Sequence, residues 1–430
     1  MIPTLTLARA RSWPLPRWAA SARSSARPSA PGRRAAGGLL AVAACVAALL
    51  VPAQTAGAAT VPTSPVFNKP TGTTAEQQAI RAQVRAVIAN ADSGSVLRLA
   101  MYHLWDETVA TELGAAKARG VSVKVVLDES TLDYRASYDL LASSLGTSTS
   151  AASWVTLCAK GRSCLSTEQT GINHNKFLLA SSVGGGTQKN VVVQLTSNLT
   201  PSNYSRYWNS SVTVAGNTAL YDGYVDYFTR LPAQNRTAWS YTYGNAGDYK
   251  YYFFPRAGSD STTDTVVNAM DNITCRWTDS TGTARRTTVH AAMLKITRQG
   301  VADKLRALAG QGCLVDLVYS ESDSGTWTAL HGVSGITNRC YQHDDDADPA
   351  TPNRIVHSKN WMVDGMYAGT VQKVMFTGSH NWSGPALRNN DEAMLRITTP
   401  AVFDAFEANF QAARSAAVPG TSDNVAACKS

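Results

Sequence analysis

The order of apolar and polar residues along the chain predicts strands and helices in succession. Val96–Met101 and Val121–Leu127 each have the pattern of a strand, and residues 107–119 between them have that of a helix. Gly120 is suited to end this helix. Apolar residues at helical spacing over 74–91 predict a further helix upstream. The order strand, helix, strand is typical of α/β proteins.

The second half of the chain repeats this order. Gly312–Glu321 corresponds to Gly120–Glu129 at an offset of 192 residues (312−120). Tyr251–Phe254 predicts the first buried strand of that half, and the tyrosines ahead of it are assigned to a glycine-containing linker. The repeat predicts an α/β fold of two similar lobes, each a mixed β-sheet flanked by helices. The lobes are expected to pack as a pseudo-twofold pair with one active site between them.

Polar residues repeat together with the predicted elements. The first copy comprises His174, Lys176, Thr196 and Asn198, and the second comprises His357, Lys359, Ser379 and Asn381. Both copies keep the same internal spacing, at an offset of 183 residues (357−174). Because alternate side chains of a strand share a face, each histidine points the same way as its lysine. Each half thus offers imidazole, ammonium, hydroxyl and carboxamide, a set suited to a phosphodiester.

The offset falls from 192 to 183 between the strands and the motifs. The first half therefore carries nine more residues (192−183) ahead of its motif, in a stretch rich in Ser, Thr and Gly that is expected to border the cleft. The predicted boundaries are 1–59 for a secretory signal segment, 60–73 for a flexible segment, 74–235 for the first lobe and 236–430 for the second.

The other histidines and the acidic residues receive a plainer interpretation. Four histidines have no matching companions and are predicted to be ordinary polar residues: His103, His290, His331 and His343. His380 lies between two motif residues and should face the opposite side of its strand. The run from His343 to Asp348 is interpreted as a solvated acidic loop rather than a cation site. No His/Cys cluster has zinc spacing, so the sequence favours a mechanism without metal or other cofactor.

The first 59 residues contain seven arginines and no acidic residue, followed by the apolar run Gly37–Val51. This pattern predicts a secretory signal cut near Ala58 or Ala59, because the apolar run is too short for a confident membrane span. Arg33-Arg34 leaves both the general and the twin-arginine export routes open. Without this leader, 32 basic residues (39−7) face 31 acidic ones. A nearly neutral mature chain argues against a strongly basic polyanion binder.

Six cysteines remain after the predicted cleavage, and an even number in an exported chain predicts three disulfides. Cys158 and Cys164 are close enough in sequence to close a short loop. The other pairings cannot be derived from spacing; the pairs expected here are Cys313 with Cys340 and Cys275 with Cys428.

The duplicated motif resembles that of the phospholipase D superfamily of phosphodiesterases, in which each half supplies His-x-Lys-x4-Asp followed by Gly-Ser-x-Asn. The resemblance covers nearly all of the mature chain. The second copy matches in full, including Asp364 and Gly378. The first copy has Ser181 in place of the Asp and Leu195-Thr196 in place of Gly-Ser.

The resemblance implies that one histidine attacks phosphorus and the other protonates the leaving alcohol and then activates water. It also implies that an acidic residue beyond the opposite motif orients each imidazole. Glu392 follows His357 by 35 residues, and Asn209 follows His174 by the same number. In a crossed pairing, Glu392 would support His174 as the nucleophile. His357, facing Asn209, would act as acid and base, and Asp364 would be a further supporting residue.

The function implied is that of a secreted phospholipase D-type hydrolase, which releases the headgroup of a glycerophospholipid at a membrane or micelle surface and also exchanges it for another alcohol. An endonuclease of the same superfamily is the first alternative, because the motifs do not report the leaving group. A phosphodiester-binding protein with a decayed first half-site is the second, although both His-x-Lys pairs are retained. An aromatic rim would favour lipid and a basic groove nucleic acid. A monomer is expected.

Overall fold

Two mixed β-sheets, each flanked by helices, make up the fold. The computed structural model describes residues 59–344, 348, 350–419 and 428–429. The predicted leader, except for its last residue, and Asp345 and Asp346 of the acidic loop lie outside the described residues.

The strands and the α-helices are each numbered in the order in which they occur along the chain. The strands are β1 (Val66–Asn68), β2 (Val96–Met101), β3 (Ser122–Leu127), β4 (Trp154–Leu157), β5 (Lys176–Val183), β6 (Gln188–Leu195), β7 (Tyr207–Val214), β8 (Thr242–Ala246), β9 (Tyr249–Phe254), β10 (Ile273–Thr274), β11 (Arg276–Thr278), β12 (Ala284–Arg286), β13 (Thr288–Ile296), β14 (Leu314–Ser322), β15 (Ile336–Cys340), β16 (Gln342–His343), β17 (Arg354–Val356), β18 (Lys359–Tyr367), β19 (Thr370–Gly378), β20 (Glu392–Ile397) and β21 (Val418–Pro419). The α-helices are α1 (Thr74–Gln77), α2 (Ala79–Ala89), α3 (Glu107–Ala118), α4 (Ala136–Leu145), α5 (Pro201–Ser205), α6 (Thr218–Ala233), α7 (Thr265–Met270), α8 (Gln299–Gly310), α9 (Ser324–Leu330), α10 (Gly384–Arg388) and α11 (Pro400–Ala416). Short 3₁₀ helices span Glu129–Tyr134, Arg236–Ala238 and Ser261–Thr263.

The strand order is equivalent in the centres of the two sheets. The first sheet runs β16-β17-β7-β6-β5-β2-β3-β4, with β1 also paired to β7, and the second runs β21-β15-β14-β13-β18-β19-β20-β9-β8, with β10 also paired to β18. Met101 on β2 lies opposite Lys176 on β5, as Met293 on β13 lies opposite Lys359 on β18. The repeat in the sequence is therefore a repeat in strand pairing, and the predicted α/β fold of two mixed sheets with flanking helices is confirmed.

One connection breaks this equivalence and positions a motif. Strands β16 and β17 come from the second half of the sequence but extend the first sheet, where Ile355 and Val356 pair in parallel with Tyr207 and Trp208 on β7. The chain then enters β18 of the second sheet directly through His357. The second motif is therefore held by both sheets.

Buried apolar side chains form three clusters, one between the sheets and one on the outer face of each. The central cluster combines inward residues of both sheets with the apolar faces of α6 and α11, including Tyr227 and Phe406. Helices α2, α3 and α4 cover the outer face of the first sheet, and α7, α8 and α9 cover that of the second. Such burial of apolar area is the main stabilising contribution in a layered α/β fold.

The predicted elements agree with the structure in the first repeat unit. β2 has the predicted bounds, α3 spans 107–118, and Gly120 after it adopts a φ of +91°, a conformation that favours glycine. The helix predicted over 74–91 is divided at Gln78 into α1 and α2. The linker prediction was wrong for Tyr243, which lies in β8, and for Tyr249, the first residue of β9, because these two strands pair as a hairpin.

The three disulfides join Cys158 to Cys164, Cys275 to Cys313, and Cys340 to Cys428. The first pairing was predicted, and the pairs Cys313–Cys340 and Cys275–Cys428 were wrong. β10 pairs with β18 and places Cys275 beside the start of β14, with a Cα separation of 4.5 Å from Cys313. Three disulfides are compatible with an extracellular protein. None of the helices in the described part of the chain is both long and apolar enough to cross a membrane.

Replacing Cys340 and Cys428 by Ser should lower the free energy of unfolding by about 2–4 kcal/mol, because this bridge closes a loop of 88 residues. The matched replacement of Cys158 and Cys164 should cost less, since that loop spans 6 residues. Urea unfolding of the three proteins measures the difference. Peptide mapping that linked Cys313 to Cys340 in the native chain would contradict the assignment.

Candidate active site

Both motifs lie where the strands of the two sheets begin or end. His174 lies two residues before Lys176, the first residue of β5, and His357 lies two residues before Lys359, the first residue of β18. The hydroxyl and amide residues of the motifs follow β6 and β19: Thr196, Asn198, Ser379 and Asn381. All eight are buried except Asn381, which is half-buried.

His174 is bound to a carboxylate from the other half of the chain. Its Nδ1 lies 2.8 and 2.9 Å from the two oxygens of Glu392, the first residue of β20. The backbone supports this contact, because the amide of His174 donates to the carbonyl of Asp391 at 3.0 Å. Asn390 donates its side-chain amide to Glu392 Oε1 at 3.2 Å. The pairing is crossed, as the sequence spacing suggested.

His357 has the equivalent crossed contact with a neutral partner. Its Nδ1 lies 2.9 Å from Oδ1 of Asn209 on β7, and its backbone amide donates to the carbonyl of Trp208 at 3.0 Å. Thr196 Oγ1 donates to the same Asn209 oxygen at 3.0 Å. An amide cannot stabilise an imidazolium as a carboxylate does, so the two histidines differ in their electrostatic surroundings.

The two motif lysines are buried close to the histidines. Lys176 Nζ donates to the carbonyl of His174 at 2.8 Å, and Lys359 Nζ lies 3.1 Å from His357 Nδ1 and also bonds the carbonyl of His357. Neither lysine forms an ion pair with a carboxylate among the residues that the structure describes. Burial lowers the pKa of Lys176 to about 7 and, with the charge of Lys176, lowers the pKa of Lys359 well below its usual value.

Burial also governs the acid–base state of the pair formed by His174 and Glu392. Burial raises the pKa of Glu392 to about 8. Burial and the charges of Lys176 and Lys359 lower the pKa of His174 well below its usual value. The imidazole is therefore neutral near pH 7, and its Nδ1 faces Glu392. When Glu392 is ionised, Nδ1 donates its proton to the carboxylate and Nε2 is the unprotonated nitrogen, which is the form that a nucleophile requires.

The motif hydroxyls are already engaged within the protein. Ser210 donates its backbone amide to Thr196 Oγ1 at 2.8 Å, and Ala393 donates its amide to Ser379 Oγ at 3.1 Å. These hydroxyls therefore hold strands β7 and β20, which carry Asn209 and Glu392.

The motif amides, in contrast, have free bonding capacity. The side-chain oxygens of Asn198 and Asn381 are both buried, and neither has a hydrogen-bond partner among the described residues. Because the two ends of an amide are assigned by their contacts, either end can be turned toward a ligand. Two such amides in equivalent positions, together with two unpaired lysines, form a set of donors for the oxygens of a phosphodiester.

The structure does not bring Asp364 into the site. Asp364 is exposed and lies opposite Thr288 and Lys373 in the second sheet, five residues along β18 from Lys359. At the rise of a strand this is roughly 17 Å. Ser181, its counterpart in the first half, accepts a hydrogen bond from the amide of Val96. The absence of a carboxylate at Ser181 therefore leaves the first motif unaffected.

Two tyrosines beside the histidines were missed in the sequence. The ring of Tyr102 lies 5.3 Å from that of His174 and 5.2 Å from Lys176 Nζ, and the ring of Tyr207 stacks on His357 at 5.5 Å. Signals for both exist in the sequence. Tyr102 directly follows β2, and ligand sites often gather at the carboxyl ends of strands. Tyr207 lies two residues before Asn209 and so shares its strand face.

An aromatic strip leads from the first histidine to the surface. Tyr102 stacks on His103 at 3.7 Å, His103 on Trp105 at 4.4 Å, and Trp105 contacts Tyr134 at 6.3 Å. Tyr134 is 50% exposed. Burial and the charge of Lys176 lower the pKa of His103 to about 3, so this ring is uncharged. His103 is therefore part of an aromatic rim and not the ordinary polar residue that was predicted.

His380 and the loop that precedes the first motif have structural roles. His380 is buried against Phe254 at 4.2 Å, away from the motif residues on either side. Asp391 accepts the backbone amides of Cys164 and Leu165 and so ties the inserted loop to β20. In the described part of the chain, Cys158, Cys164 and Asp391 are the one group of potential metal ligands close together, and its cysteines are joined as a disulfide.

The raised pKa of Glu392 has a consequence for stability. A glutamate that titrates at about 8 in the folded chain and near 4.5 when unfolded holds its proton in the folded state between these values. Its contribution to the free energy of unfolding therefore falls as pH rises from about 4.5 to 8, by at most about 1.4 kcal/mol per pH unit. The free energy of unfolding of wild type minus that of Glu392→Gln should therefore fall as pH rises across this range, and urea unfolding measures it.

Glu407→Gln is the matched control, because Glu407 also contacts a histidine, His290, at 2.9 Å. Hydrogen bonds from His290 and Gln411 outweigh the effect of burial and lower the pKa of Glu407. Its contribution is lost only as pH falls through that lowered value. The raised pKa of Glu392 would be contradicted if the difference in free energy of unfolding between wild type and Glu392→Gln stayed constant between pH 5 and 8.

Comparisons with known proteins agree with the two half-sites. The family model described as "Cardiolipin synthase, PLD-like domain" matches residues 84–231 and 282–414, more than half of the chain and both motifs. No match was found among curated protein sequences. The crystal structure of phosphatidylserine synthase from Haemophilus influenzae Rd KW20 is similar with a TM-score of 0.57 and 11% identity, covering 83% of this chain and 87% of that one.

The crystal structure of polyphosphate kinase from Porphyromonas gingivalis is similar with a TM-score of 0.50 and 14% identity. This match covers 81% of the present chain and 49% of the kinase, so the chain spans about half the length of that protein. At such identities the two structures support the fold alone. On the match to the family model, the chain belongs to the phospholipase D-like family.

Proposed function

We propose that this chain is a phosphodiesterase of the phospholipase D type, which hydrolyses the headgroup phosphodiester of glycerophospholipids through a phosphohistidine. The observation that carries the proposal is the crossed contact between His174 and Glu392. With Glu392 ionised, this contact leaves Nε2 of His174 unprotonated, in a site that also contains Lys176, Lys359 and the amides of Asn198 and Asn381. That combination binds an anionic diester and attacks its phosphorus.

In the first step, Nε2 of His174 attacks phosphorus and the bond from phosphorus to the leaving alcohol breaks. Glu392 supports the positive charge that develops on the ring through the Nδ1 contact. His357 gives a proton to the leaving oxygen, and Lys176 and Lys359 hold the non-bridging oxygens. The product is an alcohol and a phosphoryl group bound to His174.

In the second step, water gives a proton to His357 and attacks phosphorus, and the bond to His174 breaks. His357 must be protonated before the first step, yet burial and the charges of Lys359 and Lys176 lower its pKa. A bound phosphodiester anion offsets those charges and favours the protonated ring. Substrate binding thereby prepares the acid. An alcohol that replaced water would give headgroup exchange.

The aromatic rim favours a lipid over nucleic acid. Tyr102, Trp105 and Tyr134 form an uncharged path to the first histidine, and Asp133 and Glu129 lie in the same segment as Tyr134. Carboxylates near the path repel a polyanion, whereas aromatic faces suit apolar or cationic parts of a phospholipid. The leader pattern and the three disulfides support action outside the cell.

Wild-type protein should release choline from phosphatidylcholine, and His174→Ala should lower the rate by about 10⁴-fold or more because the nucleophile is lost. The matched control is His290→Gln, a histidine with a glutamate partner outside the site, which should retain activity. Trapping during turnover should place the phosphoryl group on His174. Plasmid degradation without lipid hydrolysis would identify a nuclease, and inactivity on both substrates would identify a binding protein.

Asn209→Asp should raise the pKa of His357, because a carboxylate at 2.9 Å favours the protonated ring. The alkaline limb of the kcat/KM profile should move to higher pH, since His357 is needed in its protonated form. NMR titration of the ring measures the pKa directly, and His331, outside the site, is the internal control. An unchanged or lower pKa would contradict the assignment of His357 as the acid.

A further inference from the structure

A second cavity lies at the edge of the second sheet, away from the motif histidines. Its volume is about 290 Å³, and it lies between β8, β9, the end of β18, β20 and α7. We refer to it as the tyrosine–arginine pocket, after six of its lining residues: Tyr241, Tyr243, Tyr252, Lys250, Arg256 and Arg396. Its function is not accounted for by the reaction above.

The pocket is lined by three cations and by no Asp or Glu. None of the three forms an ion pair with a carboxylate among the described residues, although other basic side chains on this lobe do, such as Lys295 with Glu321 at 2.5 Å. Arg256 instead donates to Thr265 Oγ1 at 3.2 Å. The Nε of Arg396 is buried without a partner among the described residues. The pocket therefore holds uncompensated positive charge.

Tyrosine rings fix the positions of these cations. Lys250 Nζ lies 5.1 Å from the ring of Tyr243 and 5.4 Å from that of Tyr252, and the Arg256 guanidinium lies 4.9 Å from the ring of Tyr241. Burial raises the pKa of Tyr241 to about 12, so its hydroxyl keeps its proton. The pocket thus offers positioned charges together with hydroxyl groups, and both bind anionic oxygen.

Strand geometry separates this pocket from the catalytic residues. Glu392, Met394 and Arg396 alternate along one face of β20, so Arg396 lies roughly 13 Å from Glu392 at the rise of a strand. Met394 is buried between them. Two anions could therefore occupy the two places at once.

We propose that the tyrosine–arginine pocket is a binding site for a phosphomonoester. A monoester carries nearly two negative charges at neutral pH, and three convergent cations without a counter-ion match it better than they match a singly charged diester. The volume is near the lower end for small-molecule sites, which suits a phosphate with a short polyol. The proposal does not depend on the reaction proposed for the histidines.

Titration calorimetry of the full chain with glycerol 3-phosphate tests the proposal, with inorganic phosphate as the second probe and glycerol as the uncharged control. Two sites are expected, since the catalytic site also binds phosphate. His174→Ala should leave the site in the pocket unchanged. Lys250→Gln should weaken that site by about tenfold, and Lys250→Glu by roughly 100-fold or more.

Arg306→Gln, which removes an exposed charge on α8 of the same lobe, is the matched control and should bind as wild type does. Lys250→Gln should also keep its activity on a small soluble diester, which shows that the fold is intact. Titration curves of Lys250→Glu and Arg396→Gln identical to that of wild type would overturn the proposal, whatever the outcome for the catalytic histidines.

Vesicles distinguish the two sources of a monoester. Sedimentation with phosphatidic acid vesicles that is lost in Lys250→Glu would identify a lipid headgroup as the ligand. Binding of soluble glycerol 3-phosphate without vesicle binding would identify a soluble phosphate ester, and both results support the site. The proposal would be overturned by a different combination of results. In that case the protein would bind phosphatidic acid and phosphatidylglycerol vesicles equally, Lys250→Glu would not change this binding, and the soluble monoester would not bind.

Discussion

The contact between His174 and Glu392 is the interaction on which the active site depends. It joins residues 218 positions apart and is buried, so it fixes the imidazole and links the two halves of the chain at the same point. A buried carboxylate is costly unless it is paired and hydrogen-bonded. Here the histidine, Asn390 and the nearby lysines offset part of the cost, and burial still raises the pKa of Glu392 to about 8. Loss of one partner would leave the other uncompensated, so the stability of the fold and the orientation of His174, the nucleophile of the proposed reaction, are coupled.

The same geometry with one changed partner separates the roles of two otherwise equivalent histidines. Asn209 and Glu392 occupy corresponding positions on β7 and β20, and each faces the histidine of the other half. A carboxylate supports a ring that becomes positively charged during attack, whereas an amide leaves the partner ring easier to deprotonate when it must give up a proton. In the proposed reaction, the division between nucleophile and acid therefore depends on a difference of one residue type within two otherwise equivalent half-sites.

Sequence predicted what depends on local pattern and on motif spacing. The strand, helix, strand units followed from periodicity. The crossed partners were implied by the resemblance to the phospholipase D superfamily and located by two equal intervals of 35 residues. Other features depend on long-range pairing. Strand β17 has three residues, too few for a pattern, and yet it carries His357 onto the first sheet. Similarly, Cys275 is paired by the position of β10, and Asp364 belongs to the motif in sequence but lies roughly five residues of strand away in space.

Charge distribution explains why the overall balance of the chain said little about its ligands. Beyond the arginine-rich first 59 residues, acidic and basic residues are nearly equal in number, and many form ordinary surface pairs. Two places differ: the buried Lys176 and Lys359, and the cations of the tyrosine–arginine pocket. In both, basic side chains are held by sheet geometry and aromatic contacts, and none of them forms an ion pair with a carboxylate among the described residues. In both proposals, an anion that enters either place removes like-charge repulsion as well as forming hydrogen bonds, so affinity for phosphate would arise locally although residues 60–430 are nearly neutral in sum.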